Sequence, residues 1–384
     1  MTRSFDVLVI GGGAAGVAAA LAAAARGRRV ALVRAGPGAT ALAAGGWRGP
    51  MPAGLGRALE AAGLPHEPPA GPLPHPHGDL RRHDLAAPAQ AAAVLEDGAL
   101  VCGILGLPGF TAPALARLWG DAARVRLAVA TLDAGPLTPP AGWSPIALAA
   151  TLEREPGPLA DALARAVRET GATRAILPPV LGLEQGEAVR GTLAAAAGVP
   201  VGEMLGVPPS VPGWRLDRAL LAAAEAHGVE VVAGRAGAPE VAGRRIVAVR
   251  VRADDGAELR LAARAVVLAT GKFVGGGIVA DARLREPALG CPVWVEHLGS
   301  AFDAPEPLAL TRPEREAPQP LLGAGVRDDG SGRPVDRRGD VVYTNVRVAG
   351  SIRAGVETAR LGLGEAAVDG WAMGGAAADM AAQA

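Results

Sequence analysis

The stretch that decides the fold runs from Phe5 to Arg34 and reads FDVLVIGGGAAGVAAALAAAARGRRVALVR. Its first residues, Phe5–Ile10, are aliphatic and β-branched, which predicts a short strand buried on both faces. Helix-forming residues follow from about Ala14 to Arg26 and stop at Gly27. Arg29–Val33 predicts a second strand, so the whole stretch predicts a β-turn-α-β unit.

The turn of this unit contains the spacing G-x-G-x-x-G, which is typical of dinucleotide-binding folds when it joins a strand to a helix. Gly11 allows the tight turn, Gly13 lets a pyrophosphate approach the backbone, and Gly16 lets helix and strand pack closely. The N-terminus of the helix then presents amide N–H groups to the phosphates. The residues predicted to bind the cofactor here are Gly11, Gly12, Gly13, Ala14, Ala15 and Gly16. The alternative is a glycine-rich turn in an alanine- and glycine-rich chain.

The end of the second strand departs from this pattern. An acidic residue there normally holds the adenosine ribose, but the residue in this chain is Arg34. An arginine can meet a phosphate, can accompany a nucleotide bound without a ribose clamp, or can be a solvated cation at the end of a strand. Position 34 therefore supports FAD less than the glycines do.

Composition excludes several classes of protein. The 384 residues predict two or three domains, and the formal net charge of zero argues against a nucleic-acid partner. Cys102 and Cys291 are far apart, so they predict no disulfide framework, zinc site or iron–sulfur cluster, and no metal site is expected. The uncharged run Val7–Ala25 mimics a membrane helix, but its three consecutive glycines favour a buried strand, turn and helix. We therefore expect a cytoplasmic chain without a direct membrane span.

Two loops follow the β-turn-α-β unit. The small residues from Gly38 to Trp47 resemble flavoprotein loops whose backbone passes close to the flavin, and Thr40 and Ala41 are the predicted cofactor-side residues. The stretch 51–84 is rich in proline and glycine and holds four histidines: His66, His75, His77 and His83. Pro-His-Pro-His could suggest metal ligands, but without a third ligand at a suitable spacing we expect solvated loop histidines.

The middle of the chain, about residues 85–212, alternates helical and strand patterns. Residues 156–170 predict a helix and residues 174–177 a strand, which together indicate an inserted α/β cap or substrate domain. Residues 208–216 then predict a rigid connector into a helix at about 214–227.

The last third predicts a return to the nucleotide. Strands at 229–233, 245–253 and 257–262 form a predicted antiparallel meander, with Asp254-Asp255-Gly256 as a hairpin turn. A buried strand, Arg264–Gly271, and a later strand, Val346–Ser351, each run into a glycine turn, and a closing helix starts within Leu361–Ala367. The cofactor-side residues predicted from these segments are Thr270, Gly271, Gly350, Ser351 and Gly364.

These patterns predict an α/β protein: a Rossmann-like two-dinucleotide-binding-domain flavoprotein with a discontinuous FAD-binding domain and an inserted α/β cap/substrate domain. The predicted divisions are 1–60 for the first flavin-binding part, 61–212 for the inserted region, and 213–384 for the meander and second flavin-binding part.

The chain resembles the family of B-type subunits of anaerobic glycerol-3-phosphate dehydrogenases. The resemblance rests on the N-terminal fingerprint with Gly38–Leu42, on five further segments spread over nearly the whole chain, and on their order. Those segments are PPSVPGWRL at 208–216, ATGKFVGGGI at 269–278, Arg285-Glu286-Pro287 with Leu289-Gly290, Pro318-Gln319-Pro320, and Val348-Ala349-Gly350-Ser351. The chain departs from the family after Ser351, where its closing helix start is less glycine-rich and the family's cysteine is missing.

The resemblance implies a flavin subunit, with FAD or alternatively FMN, that works with two partners: an A-type flavoprotein subunit and a membrane-attached, C-type iron–sulfur subunit. Together they would oxidise sn-glycerol 3-phosphate to dihydroxyacetone phosphate and pass the electrons to the quinone pool. It also implies a cytoplasmic chain that reaches the inner face of the cytoplasmic membrane through a partner.

The implied chemistry is hydride transfer from C2 of a polyol phosphate to flavin N5. A dianionic phosphate needs a cation, and the candidates in or beside the flavin segments are Arg48, Arg215, Lys272 and Arg353. No general base stands out, and His297 is better explained as a core or surface histidine. Two alternatives stay open: an electron-transfer or assembly subunit whose partner performs the chemistry, and a fumarate-reductase-like flavoprotein with another substrate.

Overall fold

The computed structural model describes residues 2–135, 142–281, 283–295, 300–301, 310–314, 317, 319–357 and 361–383. His297 and Pro318 lie outside the described residues. The helices are α1 Ala14–Ala24, α2 Ala53–Ala61, α3 Pro88–Ala91, α4 Ala112–Ala123, α5 Pro145–Arg154, α6 Gly157–Thr170, α7 Gly186–Ala197, α8 Val211–Ala226, α9 Pro320–Gly323 and α10 Leu363–Gln383. The strands are β1 Thr2–Ile10, β2 Val30–Arg34, β3 Gly46–Trp47, β4 Leu73–Pro74, β5 Leu80–Arg81, β6 Leu85–Ala86, β7 Leu100–Ile104, β8 Ala128–Leu132, β9 Ala175–Leu177, β10 Val201–Glu203, β11 Glu230–Ala242, β12 Arg245–Ala253, β13 Glu258–Leu268, β14 Val279–Ala280, β15 Leu284–Arg285, β16 Val293–Val295, β17 Ser300–Ala301, β18 Gly325–Val326 and β19 Val346–Val348.

The chain divides into two compact units. The first contains residues 1–40, 49–62 and 219–384, and the second contains residues 41–48 and 63–218. The later boundary therefore falls inside α8, six residues after the predicted division at 212/213. No helix among the described residues combines the length and apolarity that crossing a bilayer requires.

A five-stranded parallel sheet in the order β11-β2-β1-β13-β19 forms the centre of the first unit. Its central strand, β1, pairs with β2 on one side and β13 on the other, so that Val9 lies opposite both Leu32 and Val267. The side chains from Val7 to Ile10 are almost fully buried, as expected for a strand covered on both faces.

The meander grows out of this sheet. We predicted separate strands at 257–262 and 264–271, but the structure has one strand, β13, over Glu258–Leu268. The same edge of β13 first pairs antiparallel with β12 and then parallel with β19. No glycine or proline interrupts the chain between these two stretches, so one strand continues from the antiparallel pairing into the parallel pairing of the same sheet.

Helix α1 is buried on nearly all sides, and α10 approaches it through small residues. A Cβ atom added at Gly370 would lie 2.0 Å from the carbonyl oxygen of Ala15, and one added at Gly374 would lie 2.1 Å from that of Ala19. The two glycines are four residues apart, as are the two alanines, which places each pair on one helix face. The two helix backbones are therefore close enough that only glycine fits at these positions of α10.

Substituting Gly374 by Ala should destabilise the first unit, because the new methyl group has to displace backbone atoms of α1. We expect a cost of roughly 1–3 kcal/mol, seen as a lower Tm by calorimetry. The matched control is Gly191→Ala in α7, where an added Cβ meets nothing within 4 Å. The Gly191→Ala substitution should raise the free energy of unfolding by up to about 1 kcal/mol. Equal Tm values for the two variants would contradict this account of the packing.

The second unit contains a separate four-stranded parallel sheet in the order β10-β9-β7-β8. Helices α4 to α7 connect its strands, as parallel strands require. Fully buried side chains such as Trp119, Leu148 and Leu163 form its core.

Two predictions about the connecting segments were wrong. Helix α8 begins at Val211 and not near 214, because the hydroxyl of Ser210 accepts a hydrogen bond from the Gly213 amide at 3.1 Å and caps the helix. Pro212 is tolerated because it lies in the first turn. The stretch 51–84 is also less irregular than predicted, because it contains α2.

Candidate cofactor site

Three turns of the first unit meet at the carboxyl edge of its parallel sheet. They follow the adjacent strands β1, β13 and β19 and contain Gly11–Gly13, Gly271 and Gly350. A Cβ added at Gly11 would lie 2.2 Å from the carbonyl oxygen of Ala269 in the second turn. A Cβ added at Gly350 would lie 2.6 Å from the Cβ of Ala15, and one at Gly271 would lie 3.7 Å from the Ser351 hydroxyl. The structure therefore brings three of the sequence-predicted segments together.

The first turn accepts only glycine at two positions. Gly11 has φ +115°, a region that L-residues with a side chain rarely adopt. A Cβ at Gly16 would lie 1.8 Å from the carbonyl oxygen of Gly11, so the first turn of α1 rests directly on the end of β1. This contact fixes the direction in which the N-terminal amides of α1 point.

The N-terminus of α1 is built for an anion. Its N-cap is Gly13, which has no side chain to cap the helix, and no acidic residue lies in the first turn. The Ala14 amide donates to the hydroxyl of Thr40 at 3.1 Å, although Thr40 lies 26 residues away and is 7% exposed. The other amides of a first helical turn have no partner within the helix and carry its positive dipole end. Thr40 is therefore part of the same cradle as the glycines.

The second turn leaves a polar atom without a partner. The Thr270 hydroxyl is buried and makes no hydrogen bond within the part of the chain that the structure describes. Gly277 folds back over this turn so closely that a Cβ there would lie 2.1 Å from the carbonyl oxygen of Gly271. Because buried hydroxyls are nearly always paired, this one fits a bound group that carries polar atoms. The turn fits a nucleotide cofactor.

The third turn is held by a carboxylate of α10. Gly350 has φ +74°, and its amide donates to Asp369 Oδ2 at 2.7 Å. Arg353 donates to Asp369 Oδ1 at 2.7 Å and to Asp328 Oδ1 at 3.0 Å. The Gly350–Ser351 turn is thus tied to the second turn of the closing helix α10, whose second residue, Gly364, is buried.

Comparison with known proteins identifies this arrangement. The family model for the FAD binding domain matches residues 6–62 and 74–366, which include all three turns. The chain belongs to the FAD-binding domain family. The predicted fold class and FAD as cofactor are thereby confirmed, and FAD is favoured over FMN. As a member of this family the chain is a flavin-dependent oxidoreductase.

The relatives narrow the family further. A probable B-type subunit of the anaerobic glycerol-3-phosphate dehydrogenase of Halobacterium salinarum is 31% identical over 338 residues, which cover 82% of this chain and 75% of that protein. The B-type subunit of Yersinia enterocolitica is 32% identical over 54% of this chain and 46% of that protein. The resemblance seen in the sequence is confirmed, and the chain belongs to the family of B-type subunits.

A solved structure is also similar. The 3-ketosteroid Δ1-dehydrogenase of Sterolibacterium denitrificans is 15% identical, with a TM-score of 0.43, over 99% of this chain and 100% of that one.

The structure shows which groups of the chain bind three of the cations predicted for a substrate phosphate: Arg353, Lys272 and Arg215. Arg353 is held by Asp328 and Asp369 as described. Lys272 is 5% exposed, and its ammonium donates to the carbonyl oxygens of Leu322 and Val356. A buried ammonium needs such acceptors, so Lys272 joins the loop after β13 to two other segments of the chain. The structure thus gives both residues a structural role, and phosphate binding by them stays a prediction.

Arg215 also has a role in the fold. Its guanidinium makes a bidentate ion pair with Glu203, at 2.7 and 2.9 Å, and Glu203 is completely buried in the second unit. Gln90 and the Leu181 amide donate to the same carboxylate. This network fixes the start of α8 against the ends of β9 and β10, and the structure does not support the prediction that Arg215 binds phosphate.

Arg48 and Ala41 belong to the second unit, in the segment 41–48. Arg48 is exposed after the end of β3, and its charge contributes to a lowered pKa of His83, after burial as the main cause. Ala41 is buried within a short 3-10 helix, Ala39–Leu42.

Three of the four histidines differ from the predicted solvated loop residues, because His75 is buried and His66 and His83 are partly buried. His75 is 2% exposed, its Nδ1 lies 2.9 Å from Asp79 Oδ1, and its ring meets that of the exposed His77 edge-on. Burial, aided by the charge of Arg81, lowers the pKa of His75 to about 4. His66 is partly buried beside Trp47, and burial lowers its pKa. No group of potential metal ligands is found among the described residues.

Replacing Thr270 by Val should separate folding from cofactor binding. Removing an unpaired buried hydroxyl should leave the Tm of the apoprotein unchanged or higher, because no hydrogen bond of the chain is lost. The rise in Tm on adding FAD should become smaller, because the valine offers FAD no hydrogen bond. Thr192→Val on α7, whose exposed hydroxyl bonds to the Ala188 carbonyl, is the control. If FAD raises the Tm of T270V as much as that of the wild type, Thr270 does not bind FAD.

Replacing Arg215 by Met should cost roughly 3–5 kcal/mol in urea unfolding, because it leaves the buried Glu203 carboxylate without its cation. Arg218→Met on the same helix is the matched control, since Arg218 pairs with Glu184 and both side chains are more than half exposed. That variant should lose at most about 1 kcal/mol. If both variants unfold at the same urea concentration, the Arg215–Glu203 pair is not the structural element described here.

Proposed function

We propose that this chain, with FAD bound, oxidises sn-glycerol 3-phosphate to dihydroxyacetone phosphate and passes the electrons on to the quinone pool. The observation that carries the proposal is the 31% identity to a B-type subunit of the anaerobic glycerol-3-phosphate dehydrogenase, extending over 82% of the chain. The cradle of three glycine turns supports the proposal, because such an oxidation requires FAD and this cradle would bind it.

The chain's own residues bind and orient the cofactor. The amides of Gly12, Gly13, Ala15 and Gly16 and the hydroxyl of Thr40 would hold the phosphates. Thr270 and the Gly350–Ser351 turn would hold the flavin half. FAD, when bound, supplies the two-electron acceptor for the hydride that leaves C2 of the substrate. Asp369 keeps the Gly350 turn in place through the Gly350 amide, so that this part of the site is ordered before the substrate arrives.

We assign the cap that receives the substrate to the second unit, and the onward transfer of electrons to partner subunits. The relatives are each named as one subunit of a dehydrogenase, which implies further subunits. An A-type flavoprotein subunit and a membrane-attached, C-type iron–sulfur subunit fit this role, and would bring a cytoplasmic chain to the inner face of the cytoplasmic membrane.

One observation favours the alternative of an electron-transfer or assembly subunit without substrate chemistry of its own. Arg215, Lys272 and Arg353, predicted for the substrate phosphate, all bind groups of the chain itself. A dianionic substrate needs a cation on its phosphate, and in this alternative a partner subunit would provide it.

An anaerobic absorbance experiment on the purified, FAD-loaded chain decides between the two. Addition of sn-glycerol 3-phosphate should bleach the flavin bands, whereas glycerol, which lacks the phosphate, should not. Bands that stay oxidised with the chain alone but bleach when the partner subunits are added would support the relay instead. A protein that stays colourless after incubation with FAD would contradict both.

A further inference from the structure

Arg34 lies where dinucleotide-binding folds usually carry an acid. It is the last residue of β2, directly before the turn that follows the second strand of the β-turn-α-β unit. The usual acid accepts hydrogen bonds from the adenosine ribose. A guanidinium has only donors, so it cannot perform that task, and its positive charge suits a different part of the cofactor.

The side chain of Arg34 lies along the glycine turn. A Cβ added at Gly12 would lie 2.9 Å from Arg34 Cβ, 3.1 Å from its Cδ and 3.4 Å from its Nε. The Nε group donates to the carbonyl oxygen of Gly36 at 3.2 Å, which orients the planar head. The residue is partly buried, so its charge is less screened than that of a fully exposed arginine. Gly12 thus leaves room for the stem of Arg34 to pass.

The helix beside Arg34 adds charge of the same sign. The positive end of the α1 dipole lies at Gly13, and the first turn of α1 contains no acidic residue. A pyrophosphate at the turn would be attracted both by the guanidinium and by the end of the helix.

We propose that Arg34 recognises the pyrophosphate of FAD, as a charge-assisted donor that replaces the ribose acid. This inference extends the FAD site and does not depend on the substrate, so it stands or falls apart from the proposed glycerol-phosphate oxidation. The consequence is a cofactor affinity that rests partly on charge and falls as salt concentration rises.

The test measures FAD affinity of the full chain by quenching of flavin fluorescence, with ADP as a competing probe that carries the diphosphate and adenosine without the flavin. Arg34→Gln should weaken FAD and ADP alike by about tenfold or more, the effect of losing one hydrogen bond to a charged group. Arg34→Lys keeps the charge and should recover part of the loss. Arg252→Gln, an arginine whose side chain is 77% exposed on β12, is the control and should bind both as the wild type does.

The salt dependence of FAD affinity shows whether the charge of Arg34 causes the effect. Raising NaCl should weaken FAD binding to the wild type and to R34K, and should weaken binding to R34Q less. Wild-type FAD affinity in R34Q would overturn the inference. So would a loss that is equal in R34K and R34Q and independent of salt, because the effect would then come from shape. The Tm of each apoprotein shows whether R34Q is folded; if it is not, the comparison of R34K with the wild type at low and high salt makes the same decision.

Discussion

The first unit depends on the direct approach of backbone to backbone around α1. At one end, Gly16 lies against the carbonyl oxygen of Gly11, and along its length Gly370 and Gly374 of α10 lie against Ala15 and Ala19. The helix is therefore clamped between the turn that precedes it and the helix α10. No side chain separates the backbones at these contacts, so the position of the N-terminus of α1 follows from close packing of rigid backbone.

This clamp explains why three segments far apart in sequence form one site. The turns after β1, β13 and β19 follow adjacent parallel strands, so they end at the same edge of the sheet. Helix α10 contributes twice, since it packs on α1 and holds the Gly350 amide through Asp369. The closing helix thus couples the first turn of the cradle to the last. The geometry of the three turns is mostly a property of the backbone, and Thr40 and Thr270 are polar side chains that we predict to bind the cofactor there.

The sequence was sufficient for features that depend on neighbours in the chain. The strand, glycine turn and helix of residues 5–34 were predictable because periodicity and glycine spacing are local. The resemblance of motifs gave the family, and the family gave the cofactor. Contacts between distant residues were not predictable. Arg215 pairs with Glu203 twelve positions away, and Arg353 pairs with Asp369 sixteen positions away. Thr40 accepts a hydrogen bond from an amide 26 positions away. The Ser210 cap did have a local signal that was missed, a serine followed by proline in the first turn.

The same contrast between local signals and long-range contacts explains why the sequence identified the cofactor and did not identify the residues that bind the substrate. A glycine-rich motif reflects a particular backbone geometry. Because a dinucleotide is bound mainly by the backbone, the motif also indicates the function. A cation inside a motif records only that a positive charge is needed there. In a dry interior that charge has to be paired, and a carboxylate or carbonyl of the chain serves as well as a substrate phosphate. Lys272, Arg215 and Arg353 all meet that need through groups of the chain itself, which gives each of them a structural role.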